Sequence, residues 1–253
     1  MVKRNKVFIK KKDGIKLCGI WHWPQNKTIK VVILAHGITS DKDEEGIFIQ
    51  LADCLKENGF AVFRFDFRGH GESEGKTIDV TLTGEILDME AVVDYVQSQG
   101  YQEISLLGAS FGGGVAILYT VKNQTKIKSL CLWNPVLNYD HCFLNPTLPW
   151  LIERKGHMKK DLKEKGWTTI GSRKVVYGKK LFEEMAKFFP YNELVKIKIP
   201  VIIFHGDKDT YVPVEDSREY IKGVGEFYLI KDASHGFQDN KQEVINKTLA
   251  FFK

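Results

Sequence analysis

No stretch of this 253-residue chain approaches the roughly 20 consecutive apolar residues that a membrane-crossing helix requires. The basic run Met1-Val2-Lys3-Arg4-Asn5-Lys6 is followed only by Val7-Phe8-Ile9 before Lys10-Lys11-Lys12 intervenes, which is too short for the apolar core of a secretory signal. Cysteine is scarce. The four present, Cys18, Cys54, Cys131 and Cys142, have no metal-like spacing, and a chain this long needs no disulfide framework. A cytoplasmic protein with reduced thiols and no membrane partner is therefore expected. Charge of one sign is scarce too: 37 basic residues stand against 32 acidic ones, scattered along the chain, for a net charge of +5. That balance suits a solvated surface and argues against nucleic acid as a partner. The densest basic stretch, 153–165, reads as a solvated helix face. No linker composition interrupts the chain, so one domain is expected over 1–253.

What is abundant is alternation. Short β-branched runs at 31–35, 60–65, 103–107, 127–133, 201–204 and 226–230 read as strands. Between them, apolar residues recur at helical spacing: Phe48, Leu51, Ala52 and Leu55, then Ile86, Met89, Val93 and Val96, with a helix at about 214–222 and a closing one through Ile245, Leu249 and Phe252. Such alternation predicts an α/β architecture, a mostly parallel sheet flanked by helices on both faces. Runs 6–10 and 15–23, split by Asp13-Gly14, predict an antiparallel hairpin at its edge. The rhythm breaks over about 135–190, which predicts an inserted cap or lid over the site. Leu181, Phe182, Met185, Phe188 and Phe189 either line a substrate channel there or pack the cap onto the core.

The chemistry centres on glycine and serine. Gly108-Ala109-Ser110-Phe111-Gly112 matches G-x-S-x-G and lies between a predicted strand and a predicted helix. Glycines relieve crowding at such a turn, and the helix N-terminus favours a developing negative charge. No Lys-Ser/Thr follows, which excludes a Walker phosphate loop. A second match, Gly71-Glu72-Ser73-Glu74-Gly75, stands away from any strand end and puts two carboxylates beside its serine, the wrong potential for an oxyanion. Ser73 is therefore rejected.

A serine needs a base and an acid that orients the base. Of seven histidines, His235 lies in a polar loop just past the last predicted strand, where it can reach Ser110. His36, His70 and His205 each precede glycine and read as turn-shaping residues, and His22, His141 and His157 as packing or surface. The acid is expected in His205-Gly206-Asp207-Lys208-Asp209, where either aspartate suffices chemically. The order Ser, Asp, His is that of α/β-hydrolases.

Five ordered blocks then resemble one group: Leu34-Ala35-His36-Gly37, the run 63–73, Gly108 to Gly113, His205 to Pro213, and Ala233-Ser234-His235-Gly236-Phe237. Together they are similar to the feruloyl/cinnamoyl esterases, small bacterial serine esterases of the α/β-hydrolase superfamily. The resemblance implies a Ser110, Asp209, His235 triad, because the family pattern G-x-x-D-x-x-V-P falls on Gly206, Asp209, Val212 and Pro213. It also implies an oxyanion hole from the backbone N–H groups of Ile38 and Phe111. Many relatives have histidine before the nucleophile and a small or polar residue after it; here Ala109 and Phe111 flank Ser110, which predicts a Phe111 ring crowding the acyl pocket. The expected activity is carboxylic-ester hydrolysis on a small-molecule ester, aromatic or of short to medium acyl chain, with acylglycerol lipase, thioesterase, serine peptidase and a non-catalytic ligand binder as alternatives. No cofactor and no metal is required. A homo-oligomer is neither required nor excluded by the sequence.

Overall fold

The computed structural model describes residues 4–253, so Met1, Val2 and Lys3 of the basic N-terminal run lie outside the described residues. The chain opens with the expected hairpin: β1 (Arg4–Lys10) pairs antiparallel with β2 (Lys16–His22). Then come β3 (Lys30–Ala35), α1 (Ile47–Glu57), β4 (Ala61–Phe65), α2 (Leu82–Ser98), β5 (Glu103–Ala109), α3 (Phe111–Thr120) and β6 (Ser129–Trp133). After an insertion containing α4 (Pro149–Glu164), β7 (Trp167–Ile170), β8 (Val175–Gly178), α5 (Lys179–Met185) and α6 (Pro190–Leu194), the alternation resumes. It closes with β9 (Val201–Gly206), α7 (Val214–Tyr220), β10 (Glu226–Ile230) and α8 (Lys241–Phe252).

Eight strands form one sheet in the order β1-β2-β4-β3-β5-β6-β9-β10, antiparallel at the β1-β2-β4 edge and parallel from β4 onward. Successive side chains of a strand face opposite ways, and here both faces are covered, which is why the central runs are mostly apolar. Val31, Ile33 and Ala35 of β3 join a core with Met89, Val92 and Val96 of α2 and Val115 to Tyr119 of α3. Val32 and Leu34 join a second core with Phe48, Leu51 and Leu55 of α1 and Val244, Ile245 and Phe252 of α8. Each large apolar side chain so buried contributes about 1.5–3 kcal/mol. α3 is the extreme case: every one of its residues is buried, so it runs under the sheet's centre and fixes where its N-terminus points.

Of the two roles open to the apolar residues of the insertion, packing onto the core is the one the structure shows. Leu181, Phe182 and Met185 are buried in the first core, and Phe188 packs against it while Phe189 faces solvent; none of the five lines the main cavity. The packing role prevails because α5 docks on α2 rather than overhanging the site, its Glu184 accepting a 2.8 Å hydrogen bond from the Thr83 amide. α4 carries the solvated basic stretch, and β7 and β8 pair as a separate antiparallel hairpin. Tyr177 of β8, fully buried, anchors that hairpin by donating to the Ile38 carbonyl oxygen. Among the described residues no helix is long and apolar enough to cross a membrane.

Candidate active site

The carboxyl ends of β3, β5, β9 and β10 converge on one cavity of about 360 Å³. Ser110 sits where β5 turns into α3, with φ 51° and ψ −120°, a left-handed conformation that only an over-determined turn sustains in a residue with a side chain. The flanking glycines permit it. A Cβ on Gly112 would lie 2.3 Å from the His36 carbonyl oxygen, and one on Gly108 would lie 2.7 Å from the Gly112 carbonyl oxygen. Strands β3 and β5 therefore meet α3 closely only because both positions lack a side chain.

His235, in the loop after β10, places Nε2 3.0 Å from Ser110 Oγ and Nδ1 2.6 Å from Asp209 Oδ2. The other Asp209 oxygen accepts the Tyr211 N–H at 2.7 Å and the Val212 N–H at 3.0 Å. Asp207, the other aspartate of that loop, is exposed and does not line the cavity. Burial alone would push the Asp209 carboxyl up, but the charge of His235 and hydrogen bonds from His205 and His235 outweigh it and hold the group far below the usual carboxylate range. Burial likewise works against a charged His235. The Asp209 carboxylate prevails, by charge and by hydrogen bond, with smaller help from Glu44 and Glu45, and the imidazole pKa lies above its ordinary value.

Two backbone amides complete the geometry. His36 Nδ1 donates to the Gly37 carbonyl oxygen at 2.8 Å, while His36 Nε2 accepts the Phe67 N–H at 3.0 Å. Because the N–H of a trans peptide points opposite its carbonyl, this turns the Ile38 N–H away from the His36 ring. The Ser110 carbonyl oxygen is likewise held, by the Gly113 N–H at 3.0 Å and the Val136 N–H at 2.9 Å, which turns the Phe111 N–H the opposite way. Burial, then the neighbouring His70, pushes the His36 pKa down to about 3, so this imidazole stays uncharged while it orients the turn.

The side chain of Phe111 departs from expectation. It is buried against Tyr139 and Phe143, with ring centroids 5.3 and 5.9 Å away, and does not line the cavity. As the first residue of α3 it inherits that helix's direction, which aims its side chain into the core and leaves Phe143 and Val136 as the apolar wall.

Ser73 is occupied structurally: its hydroxyl donates to the Asp66 carbonyl oxygen at 2.6 Å and accepts the Cys18 N–H at 2.8 Å, fastening the turn after β4 to the edge hairpin. His70 shapes a turn as expected, its Nδ1 3.0 Å from the Arg68 carbonyl oxygen and its Nε2 2.7 Å from that of Ile38. His205 does more than shape one. Its Nε2 lies 3.2 Å from both Asp209 Oδ2 and the Val212 carbonyl oxygen, and its Nδ1 lies 2.7 Å from Ser217 Oγ. Since both neighbours of Nε2 are acceptors, Nε2 carries the hydrogen and helps hold the Asp209 carboxylate. Asn134, at φ 42°, ties the site together from β6: its Nδ2 donates to the His235 carbonyl oxygen and its Oδ1 accepts the Gly206 N–H at 2.9 Å. Neither contact has a local sequence signal, because each joins residues far apart in the chain. Among the described residues no three His, Cys, Asp or Glu side chains are grouped to hold a metal ion.

Residues 26–174 match the sequence model of the family described as serine aminopeptidase, S33. The chain belongs to this hydrolase family. Its fold is that of the α/β-hydrolases: over 97% of both chains it superposes on Est1E from Butyrivibrio proteoclasticus, solved with ferulic acid bound, with a TM-score of 0.83 and 25% identity. In sequence it is 24% identical to an acyl transferase of Vibrio harveyi, over 87% of this chain and 74% of that one. It is 23% identical to a monoacylglycerol lipase of Mycolicibacterium smegmatis, over 77% of this chain and 75% of the lipase. The likeness to Est1E bears out the resemblance to feruloyl esterases at the level of the family, and the S33 match spans the turn after β3, the Ser110 elbow and most of the insertion.

Proposed function

We propose that this S33-family chain is a serine carboxylic-ester hydrolase working through an acyl-enzyme. The observation that carries the proposal is the continuous chain from Ser110 Oγ to His235 Nε2 at 3.0 Å and from His235 Nδ1 to Asp209 Oδ2 at 2.6 Å. Ser110 attacks the ester carbonyl carbon as His235 Nε2 takes its proton. The Ile38 and Phe111 N–H groups stabilise the oxyanion, each typically contributing about 10²–10³ in rate. The tetrahedral intermediate then collapses: the C–O bond to the alcohol breaks and His235 returns the proton to the leaving oxygen. Water, deprotonated by the same imidazole, releases the acid and restores Ser110. Asp209 keeps the hydrogen on Nδ1 and stabilises the imidazolium.

The insertion acts as a cap that supplies the acyl wall, with Val136, Phe143, Leu151 and Ile170 facing the cavity. A cavity of about 360 Å³ with such a wall suits a short to medium or aromatic acyl group. The ferulic acid bound in Est1E and the lipase relative support the same reading. A hydrolysis screen of nitrophenyl esters from acetate to decanoate, methyl cinnamates, acyl-thioesters and aminoacyl amides tests it. Turnover fastest on esters of short to medium or aromatic acids is expected; fast amide or thioester cleavage with negligible ester turnover overturns it.

The raised His235 pKa sets a pH dependence. The base form accepts the proton from Ser110, so activity is full above the imidazole pKa and is lost as pH falls through it. kcat/KM for a non-ionising ester is expected to fall on an acid limb centred above about 6.5. Glu44 titrates nearby, so the midpoint belongs to the coupled pair. A limb centred well below that value contradicts the Asp209–His235 coupling.

A further inference from the structure

One carboxyl in the reaction cavity has no task in the ester hydrolysis proposed above. Glu44 lies on the turn between β3 and α1 and lines the cavity beside Ser110. It and Glu45 both adopt positive φ, 43° and 53°, in a turn held by the Glu44 N–H on the Asp41 carbonyl oxygen at 3.0 Å and the Gly46 N–H on that of Asp43 at 2.8 Å. Glu44 Oε2 accepts the Gly37 N–H at 2.7 Å, which fixes the carboxyl plane. The other oxygen, Oε1, flanks the same glycine as the nucleophile: a Cβ built on Gly37 would lie 3.6 Å from Glu44 Oε1 and 3.6 Å from Ser110 Oγ. One oxygen is thus spent on the backbone while its twin stands at the reacting centre.

The cavity has two unlike sides. Val136, Phe143 and Leu151 make the apolar one; Glu44, Glu45, Gln238 and Arg173 make the polar one, joined through Glu45, which accepts from Gln238 at 3.3 Å and from Arg173 at 3.2 Å. The leaving alcohol must depart past His235, which protonates it, and Gln238 of the His235 loop donates to Glu45 Oε2 at 3.3 Å, which holds the Glu44–Glu45 turn against that loop. That places the carboxyl on the alcohol side. Burial, opposed by the Gly37 N–H, by His235 and by the Ser40 hydroxyl, pushes its pKa up to about 7.

We infer that Glu44 is a specificity-determining residue whose Oε1 accepts a hydrogen bond from a hydroxyl on the alcohol portion of the ester. Hydroxyl-bearing alcohols are then favoured over their methyl ethers, and alcohols carrying a carboxylate are repelled. This rests on the ester-hydrolase reading and names the substrate class for it.

The test uses three butyrate esters built on a two-carbon alcohol, 2-hydroxyethyl, its methyl ether 2-methoxyethyl, and carboxymethyl, assayed with the full chain at about pH 8.5, above the Glu44 value of about 7. The native protein is expected to favour hydroxyethyl over methoxyethyl by about tenfold in kcat/KM, with carboxymethyl poorest. In Glu44→Gln the amide oxygen must stay on the Gly37 N–H, so the NH₂ group faces the substrate and donates instead of accepting. The hydroxyethyl preference is expected to vanish or reverse, and the carboxymethyl ester to gain about tenfold relative to the other two. A second readout needs no variant: the hydroxyethyl to methoxyethyl ratio in the native protein falls as pH drops from 8.5 through 7. The need for an unprotonated His235 cancels in that ratio, and the titratable and charged groups facing Glu44 are His235, Glu45 and the Arg173 paired to Glu45. A ratio flat with pH, or unchanged in Glu44→Gln, overturns the inference while leaving ester hydrolysis intact. If no ester of the three or of the wider screen is turned over, the ester-hydrolase reading itself fails, and this inference with it.

Discussion

Replacing Ser110 with alanine is expected to lower kcat/KM for the best ester by about 10⁴–10⁶ and to abolish covalent labelling by a fluorophosphonate. The loss is this large because the hydroxyl is the only atom that bonds to the acyl carbon. The two amides and the cavity remain, so a small residual rate over water survives. Folding is expected to be unaffected, since alanine tolerates the turn no worse than serine and, among the described residues, the Ser110 hydroxyl hydrogen-bonds to His235 alone. The matched control is Ser73→Ala, in the other G-x-S-x-G pattern. Its hydroxyl bridges the Asp66 carbonyl oxygen and the Cys18 N–H, so the expected cost falls on stability, about 1–3 kcal/mol, with labelling kept. Thermal unfolding and activity, measured on both variants, separate the two serines. Loss of labelling in Ser73→Ala with labelling retained in Ser110→Ala would reverse the assignment.

The second large effect is expected at Asp209. In Asp209→Asn the amide oxygen can still accept the Tyr211 and Val212 N–H groups that now bind Oδ1, at 2.7 and 3.0 Å. The NH₂ group then faces His235 Nδ1, where a carboxylate accepted before. Two donors cannot share one bond, so the imidazole moves its hydrogen to Nε2 and can no longer accept one from Ser110. A drop of about 10³–10⁴ in kcat is expected, with KM little changed. Asp207→Asn alters an exposed side chain outside the cavity and is expected to leave kcat/KM within about threefold. Steady-state kinetics on the pair decide between the aspartates, and a sensitive Asp207 beside an insensitive Asp209 contradicts the triad proposed here.

These residues differ in how legible they were in the chain. The strands and the α/β order followed from local apolar periodicity, since a strand buried on both faces is mostly apolar, as β4, β6 and β9 are apart from Arg64, Ser129 and His205. Ser110 was legible because the turn that exposes it requires glycines within two residues on either side. His235 followed from its place after the last strand. The choice of Asp209 over Asp207 did not follow from the residues alone and came with the family pattern; physically it rests on the Tyr211 and Val212 amides, which the turn aims at one carboxyl only.

The insertion was legible as a break in rhythm but not in detail. Apolar residues at helical spacing, such as Leu181, Phe182 and Met185, read alike whether they face a channel or a neighbouring helix, and only the docking of α5 on α2 decides. Phe111 was misjudged for the same reason, since sequence gives the helix but not the rotation that points its first side chain inward. Glu44, His205 and Asn134 gave no signal. Each acts through a partner distant along the chain, Glu44 on Gly37 and beside Ser110, His205 on Asp209, and Asn134 on His235. His205 stood out only as a histidine before glycine, which equally marks the turns at His36 and His70.

The most direct measurement is to trap the covalent intermediate. The full chain is mixed with a nitrophenyl ester, quenched in acid within the burst phase, digested, and its peptides mapped by mass spectrometry. An acyl group on Ser110, present in the native protein and absent from Ser110→Ala, is the predicted result. Sustained ester turnover with the acyl group on Ser73, or on no residue at all under conditions that show a burst, would contradict it.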